Sequence, residues 1–225
     1  MQVVNSTVQT VKIAPHGLSG DLVVPERAEG IVVFAHGSGS GRHSPRNQYV
    51  AGILQQGMLA TLLLDLLTDA EEQVDLESGH LRFDIGLLAR RLLEATDWLQ
   101  QEATTRDMSV GYFGASTGAG AALVAAADRP SLINGIVSRG GRPDLAGSAL
   151  PRVKAPTLLV VGSKDLQAVD LSRTALAKLR CEKRLSIVPG ATHLFEEPGT
   201  LEQVAIQARD WFQRNLKHEV QYGGT

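Results

Sequence analysis

The stretch Ser109-Val110-Gly111-Tyr112-Phe113-Gly114-Ala115-Ser116-Thr117-Gly118-Ala119-Gly120-Ala121-Ala122 decides how this chain is read. An apolar β-rich run, residues 109–113, ends at a glycine, and a helix of very small residues follows, spanning about residues 117–127. Between them stands Gly114-x-Ser116-x-Gly118, the spacing of a sharp strand-to-helix turn with serine at its apex. In such a turn the residues two before and two after the serine crowd each other, so both must be glycine. The hydroxyl is lifted clear of the sheet above a helix N-terminus. The next backbone N–H, that of Thr117, can point at a developing oxyanion. A capping serine in a glycine-rich turn would show the same letters. The strand before it and the small-residue helix after it favour the nucleophile. A dinucleotide-binding turn does not fit, because Leu123 stands where its third glycine belongs.

Outward from this turn the chain alternates short β-rich runs with amphipathic helices. Residues 7–13 and 18–24 read as an antiparallel hairpin, the first an edge strand, with Pro25 ending the second. Residues 31–35 and 60–64 are continuous apolar runs, as expected of strands buried on both faces. Residues 135–138, 157–161 and 184–188 read as further strands. Helices are predicted over residues 45–56, with Ser44 as cap and Pro45 in the first turn, over 82–101, and over 171–179. The last opens at Thr200, with Gln203 as capping-box partner. Repeated strand–helix units imply an α/β fold: a mainly parallel twisted sheet, an antiparallel N-terminal hairpin, and helices on both faces. With no repeat and no linker, residues 1–225 are expected to form one domain. Ligands of such sheets bind beyond the carboxyl ends of the strands, so residues just after strands carry the functional information.

A serine hydroxyl needs an adjacent base to act as a nucleophile at neutral pH. His193, in Pro189-Gly190-Ala191-Thr192-His193, follows the last predicted strand and is the best placed of the six histidines. His16 falls in the hairpin turn, His80 in a polar approach to a helix and His218 in the tail. His36 and His43 come too early in chain order. The imidazole needs a carboxylate to fix its tautomer, and Asp165 follows strand 157–161 in Gly162-Ser163-Lys164-Asp165. Asp144, after the preceding strand, is the alternative acid, and Asp170 reads as a helix-start residue.

The second oxyanion donor is expected from His36-Gly37-Ser38-Gly39-Ser40-Gly41, with Ser38 first and Gly39 as the alternative. A phosphate-cradling loop does not fit, since no Gly-Lys-Ser/Thr follows. Arg42 and Arg46 continue this loop, and Arg139 and Arg142 lie in Ser138-Arg139-Gly140-Gly141-Arg142-Pro143-Asp144. A single exposed arginine is usually solvated or weakly paired. Four on two converging loops point to an anionic substrate, held by carboxylate- or phosphate-binding guanidinium forks, or to arginines that brace the loops. No metal-ligand spacing occurs, and Glu196 and Glu197 read as a solvated approach to the last helix.

Composition sets the remaining bounds. The 225 residues are 43% hydrophobic and 20% charged, ordinary for a globular chain with a sizeable core. Lys plus Arg is 22 and Asp plus Glu 24, which argues against a nucleic-acid partner. One cysteine, Cys181, excludes an intrachain disulfide and fits a reducing compartment. The apolar run 58–67 is short and broken by Asp65, so no membrane span is expected. With no basic-then-apolar leader at the N-terminus, a soluble cytoplasmic protein is the expectation.

Taken together, the His36-Gly37 loop, the Gly114-Ala115-Ser116-Thr117-Gly118 turn, Gly162-Ser163-Lys164-Asp165 and Gly190-Ala191-Thr192-His193 resemble the α/β-hydrolase superfamily, within it the dienelactone-hydrolase-like group. The resemblance runs over about residues 30–216. The Arg139–Asp144 stretch is similar to bacterial hydrolases sometimes fused to phosphoribosyltransferase domains, and no such second domain is expected in these residues. The resemblance implies a Ser116–His193–Asp165 hydrolase without cofactor. The leading reading is a serine hydrolase of small carboxylic esters, thioesters or lactones, with an open site and no sizeable lid. Acyl transfer by the same residues, and a non-catalytic binding module on the same fold, are the alternatives. Dienelactone hydrolases proper carry cysteine where this chain has Ser116, so lactone substrates do not carry over.

Overall fold

In the computed structural model, which describes residues 7–216, eight strands form one sheet in the order β1-β2-β4-β3-β5-β6-β7-β8. His218, read as part of the tail, lies outside the described residues. The strands are β1 (Gln9–Ile13), β2 (Leu18–Val23), β3 (Gly30–Ala35), β4 (Leu59–Leu64), β5 (Ser109–Ala115), β6 (Ile133–Arg139), β7 (Thr157–Gly162) and β8 (Lys183–Val188). β1 pairs antiparallel with β2 and β2 with β4, and every pairing from β4 through β8 is parallel. The expected architecture is therefore the one observed.

The alternation of side chains along each strand divides the interior into two cores. Ile31, Val33, Ala35, Leu62, Leu64, Val110 and Tyr112 face helices α3 (Ile85–Leu99) and α4 (Thr117–Asp128), with α5 (Leu166–Lys178) on the same side. Val32, Phe34, Leu63, Phe113 and Val137 face α1 (Pro45–Gln56) and α6 (Thr200–Asn215) on the other. Both faces of the central strands are covered, which explains their unbroken apolar runs. Each fully buried Leu of α3, such as Leu92 and Leu99, contributes about 1.5–3 kcal/mol of transfer free energy.

Three local expectations need correction. A helix the periodicity did not show, α2 (Asp69–Ser78), follows β4. Its larger apolar residues, Val74 and Leu76, are exposed and form no stripe; a reciprocal capping box between Thr68 and Glu71 starts it, and Asp75 anchors its end to Arg82. α3 begins at Ile85 rather than residue 82, because Asp84 caps it and a 3-10 turn, Leu81–Phe83, precedes it. The capping box at Thr200 is absent: Gly199 caps α6 in a left-handed conformation, and the Thr200 hydroxyl donates to Glu197 O at 2.7 Å. Among the described residues, no helix is long and apolar enough to cross a membrane.

Inside the α3–α4 core, the Tyr112 hydroxyl meets Thr96 Oγ1 at 2.7 Å, and Thr96 Oγ1 donates to Leu92 O at 2.9 Å. Burial, eased by the Thr96 hydrogen bond, holds the phenol protonated well above its usual range. Tyr112→Phe should cost about 0.5–1.5 kcal/mol, a fall of roughly 2–6 °C in Tm. Thr96→Val should cost more, since it leaves the buried phenol only a 3.4 Å contact to Leu92 O. Thermal unfolding of the two variants checks the order.

Candidate active site

Ser116 stands between β5 and α4 with φ 48° and ψ −123°, a left-handed conformation that strains any side-chain-bearing residue. The two flanking glycines are required by distance. A Cβ on Gly118 would lie 2.2 Å from Ala35 O, and one on Gly114 2.5 Å from Ala119 Cα. The turn is also held from the next strand. Ser116 N–H donates to Arg139 O at 3.4 Å, and Ser116 O accepts from Ala119 N–H at 3.1 Å and Arg142 N–H at 2.9 Å.

His193 sits on the loop between β8 and α6, its side chain 46% exposed. Its Nδ1 is 2.6 Å from Asp165 Oδ2. Asp165 divides its carboxylate between two tasks. Oδ1 accepts the Ala168 N–H at 3.1 Å and so caps α5, which leaves Oδ2 aimed at the imidazole. That cap is why α5 begins at Leu166, earlier than expected, and why Asp170 falls inside the helix rather than at its start. The competing acid, Asp144, is occupied by Arg142, whose Nε and Nη2 donate to its two oxygens at 2.9 and 2.8 Å. That hydrogen-bonded pairing raises the Arg142 guanidinium above its ordinary pKa.

The serine and histidine elements meet at Gly140. It follows Arg139, whose carbonyl holds the Ser116 turn, and a Cβ there would lie 2.8 Å from His193 O and 3.7 Å from His193 Cε1. With φ 48°, Gly140 supplies both the left-handed backbone and the missing side chain that let the loops close. Among the described residues, Ser116 Oγ makes no hydrogen bond to His193.

The expected oxyanion donors lie together, with one qualification. Gly37 passes directly over Ser116, where a Cβ would be 2.9 Å from Ser116 Cβ. Thr117 N–H, in the first turn of α4, has no acceptor among the described residues. Ser38 N–H, however, donates to Thr117 Oγ1 at 3.0 Å. A backbone donor takes the nearest acceptor, and here that is the neighbouring threonine hydroxyl.

Sequence reasoning passed over the groups that hold this loop. His36, set aside by chain order, accepts Leu66 N–H on Nε2 at 3.1 Å, and its Nδ1 lies 2.9 Å from Gly37 O, so the ring is neutral and donates there. Burial lowers its pKa, with smaller opposing effects from Gly37 O and the Asp65 and Glu72 charges. Asp65 accepts Arg42 N–H at 2.7 Å and pairs with the Arg42 guanidinium. The visible signal was Asp65 breaking an apolar run. Glu197, expected to be solvated, accepts Thr192 N–H at 3.0 Å and steadies the His193 loop.

The four arginines separate. Arg42 is committed to Asp65, with Asp21 3.4 Å from its Nε, and Arg142 is committed to Asp144. Both brace loops. Arg46 has only Glu196, 3.8 Å away and exposed, and Arg139 is 8% exposed with no carboxylate within 4 Å among the described residues.

The fold is that of an α/β-hydrolase. A dienelactone hydrolase from Anabaena variabilis is 59% identical, superposes with a TM-score of 0.91, and is matched over 95% of this chain and 99% of that one. The chain belongs to the dienelactone-hydrolase-like group of α/β-hydrolases. More distant structures share the fold: Est1E from Butyrivibrio proteoclasticus at 14% identity and TM-score 0.77, covering 92% of this chain and 98% of that one. A dienelactone-hydrolase-like phosphotriesterase from metagenomic libraries matches at 19% and 0.75, covering 94% and 99%. A Mycobacterium tuberculosis protein, named provisionally as a phosphoribosyl transferase, is 57% identical over 202 residues, 90% of this chain. The chain spans 45% of the length of that relative. No family model matches.

The His36 brace has a pH signature. Its folded pKa lies below the ordinary value, so as pH falls the unfolded chain takes up this proton first and stability drops. Above about pH 6.5 both states are neutral and the brace is fully effective. Below it the loss from this one site approaches about 1.4 kcal/mol per pH unit until the folded state also protonates. His36→Ala should lower stability at neutral pH by about 2–4 kcal/mol, by stranding Leu66 N–H and Gly37 O, and should remove that share of the acid slope. Denaturant unfolding of both proteins between pH 5 and 8 measures it.

Proposed function

We propose that the protein is a serine hydrolase that cleaves small acyl esters through a covalent acyl-enzyme. The observation that carries this reading is the strained Ser116 turn, joined across Gly140 to a histidine whose Nδ1 is 2.6 Å from Asp165 Oδ2. Membership of the dienelactone-hydrolase-like group and the likeness to the Anabaena dienelactone hydrolase support it.

In this reading Ser116 Oγ attacks the ester carbonyl while His193 Nε2 takes the hydroxyl proton. Asp165 Oδ2 accepts from Nδ1–H, fixing the tautomer and stabilising the imidazolium. Negative charge gathers on the former carbonyl oxygen, where Thr117 N–H is aimed, at the positive end of the α4 dipole. Ser38 N–H supplies the second donor by exchanging the Thr117 hydroxyl for that oxygen, and Gly39 N–H is the neighbouring alternative. Collapse expels the alcohol, which receives the proton from His193. Water, deprotonated by His193, then attacks the acyl-enzyme, and Ser116 is regenerated. All of these groups are the chain's own, and no cofactor enters the scheme. The transferase name of the longer M. tuberculosis relative, in this reading, describes the part of that protein beyond the matched region.

A fluorophosphonate probe should label the wild type at Ser116. Ser116→Ala should lose the label and about 10³-fold or more in kcat, with the fold intact. His193→Ala should be nearly as damaging, and the double variant little worse. Asp165→Asn separates capping from catalysis: asparagine still caps α5, so Tm should hold while kcat falls, by somewhat less than in His193→Ala. An unlabelled wild type would exclude the proposal. A crippled Asp144→Asn beside a mild Asp165→Asn would move the acid to Asp144.

A further inference from the structure

Arg139 is unusual among the charged groups of this protein. It ends β6, two residues after Val137, which faces the α1–α6 core, so alternation turns the guanidinium to that same side. It is 8% exposed, Nη1 has no hydrogen-bond partner, and no carboxylate lies within 4 Å among the described residues. A buried guanidinium without a counter-ion is a costly group to keep. Burial, with the nearby charge of Arg46, lowers its pKa to about 10, so it remains charged at neutral pH. The second cation makes the arrangement less favourable still, unless an anion joins them.

Arg46 completes the picture. It stands in the first turn of α1, on the face of the sheet to which Arg139 turns. Its Nε is buried without a hydrogen-bond partner. It lines a groove with Tyr49 and Phe195, and the Phe195 ring reaches within 3.5 Å of where a Gly140 Cβ would stand. Gly140 is the residue that separates the Ser116 turn from His193. Arg139 is thus the residue whose carbonyl holds the Ser116 turn, and Arg46 lines the groove that Phe195 closes next to Gly140. Glu196, 3.8 Å from Arg46 and 66% exposed, lines the groove with Glu197, which already accepts Thr192 N–H, and Glu202; none of them lies within 4 Å of Arg139.

We infer that Arg139 and Arg46 together form an oxyanion-binding subsite beside Ser116, which takes a carboxylate or phosphate carried by the ester substrate. The inference rests on the hydrolase reading for its location and names the substrate class of that site. Arg42 and Arg142 take no part, since each already holds an acid. The planar fork of arginine suits both oxyanions, and a dry site makes the contact strong.

The test has a binding arm and a kinetic arm. Ser116→Ala protein is titrated calorimetrically with succinate and, separately, with inorganic phosphate at low salt. Wild type, Arg46→Met, Arg139→Met, Arg139→Lys and Arg142→Met are assayed with 4-nitrophenyl acetate and with mono-4-nitrophenyl succinate. The expected result is saturable binding of at least one oxyanion, the tighter one naming the source, abolished by Arg46→Met in the Ser116→Ala background. The ratio of kcat/KM for the anionic to the neutral ester should fall about ten- to a hundredfold in Arg46→Met and Arg139→Met. It should fall by an intermediate factor in Arg139→Lys, which keeps charge without the fork, and stay within twofold in Arg142→Met. If Arg139→Met fails to fold by circular dichroism, Arg46→Met and Arg139→Lys decide. Binding of neither oxyanion, or a ratio unmoved by Arg46→Met and Arg139→Lys in enzyme whose Ser116 is still labelled, overturns the subsite and leaves the hydrolase standing. If the wild type is neither labelled nor active, the hydrolase reading fails, and the titration alone then decides the anion site.

Discussion

The approach of one helix to the sheet is the constraint on which the rest depends. Helix α4 is pressed so tightly onto the ends of β3 and β5 that a single methyl on Gly118 would meet Ala35 O at 2.2 Å. Only the small residues of α4 allow this, and its Gly and Ala positions are buried nearly throughout. The approach forces Ser116 into a left-handed conformation and brings the N-terminus of α4 beneath the loop after β3. Gly37 over Ser116, and Ser38 against Thr117, follow from the same packing. Local strain at one residue is sustained because a central helix between packed layers leaves the turn no other path.

Around that point, polar groups hold loops that apolar packing cannot reach. His36 and Asp65 pin the loop after β3, Arg142 and Asp144 pin the loop after β6, and Glu197 pins the loop that carries His193. Each brace joins a side chain at a strand end to a backbone group or charge of an adjoining loop. Asp165 is the most economical, since one carboxylate starts a helix and orients an imidazole. The capping bond fixes the rotamer, so the second oxygen is pre-aimed with little further entropy to lose. Arg139 breaks this pattern of pairing. It is buried with Nη1 unpartnered, which is why an anion from outside the chain is proposed as its partner.

The sequence by itself determined the layered fold and singled out the candidate site residues, because both rest on short-range rules. Unbroken apolar runs mark strands covered on both faces, and two glycines spaced about Ser116 mark a turn that no other residue could make. Chain order placed Asp165 and His193 after strands whose loops the fold brings together. Tertiary structure alone decided what each charge does. Helix α2 has no apolar stripe for periodicity to find, although its Thr68-x-x-Glu71 box was readable. His36 and Asp65 act on backbone groups brought near only by the pairing of β3 with β4. The four arginines look alike along the chain, yet Arg42 and Arg142 are held closely by acids, Arg46 only loosely, and Arg139 by none within 4 Å among the described residues. An ion pair depends on which side chains the sheet brings within about 4 Å, and that distance is set by folding, not by spacing in the sequence.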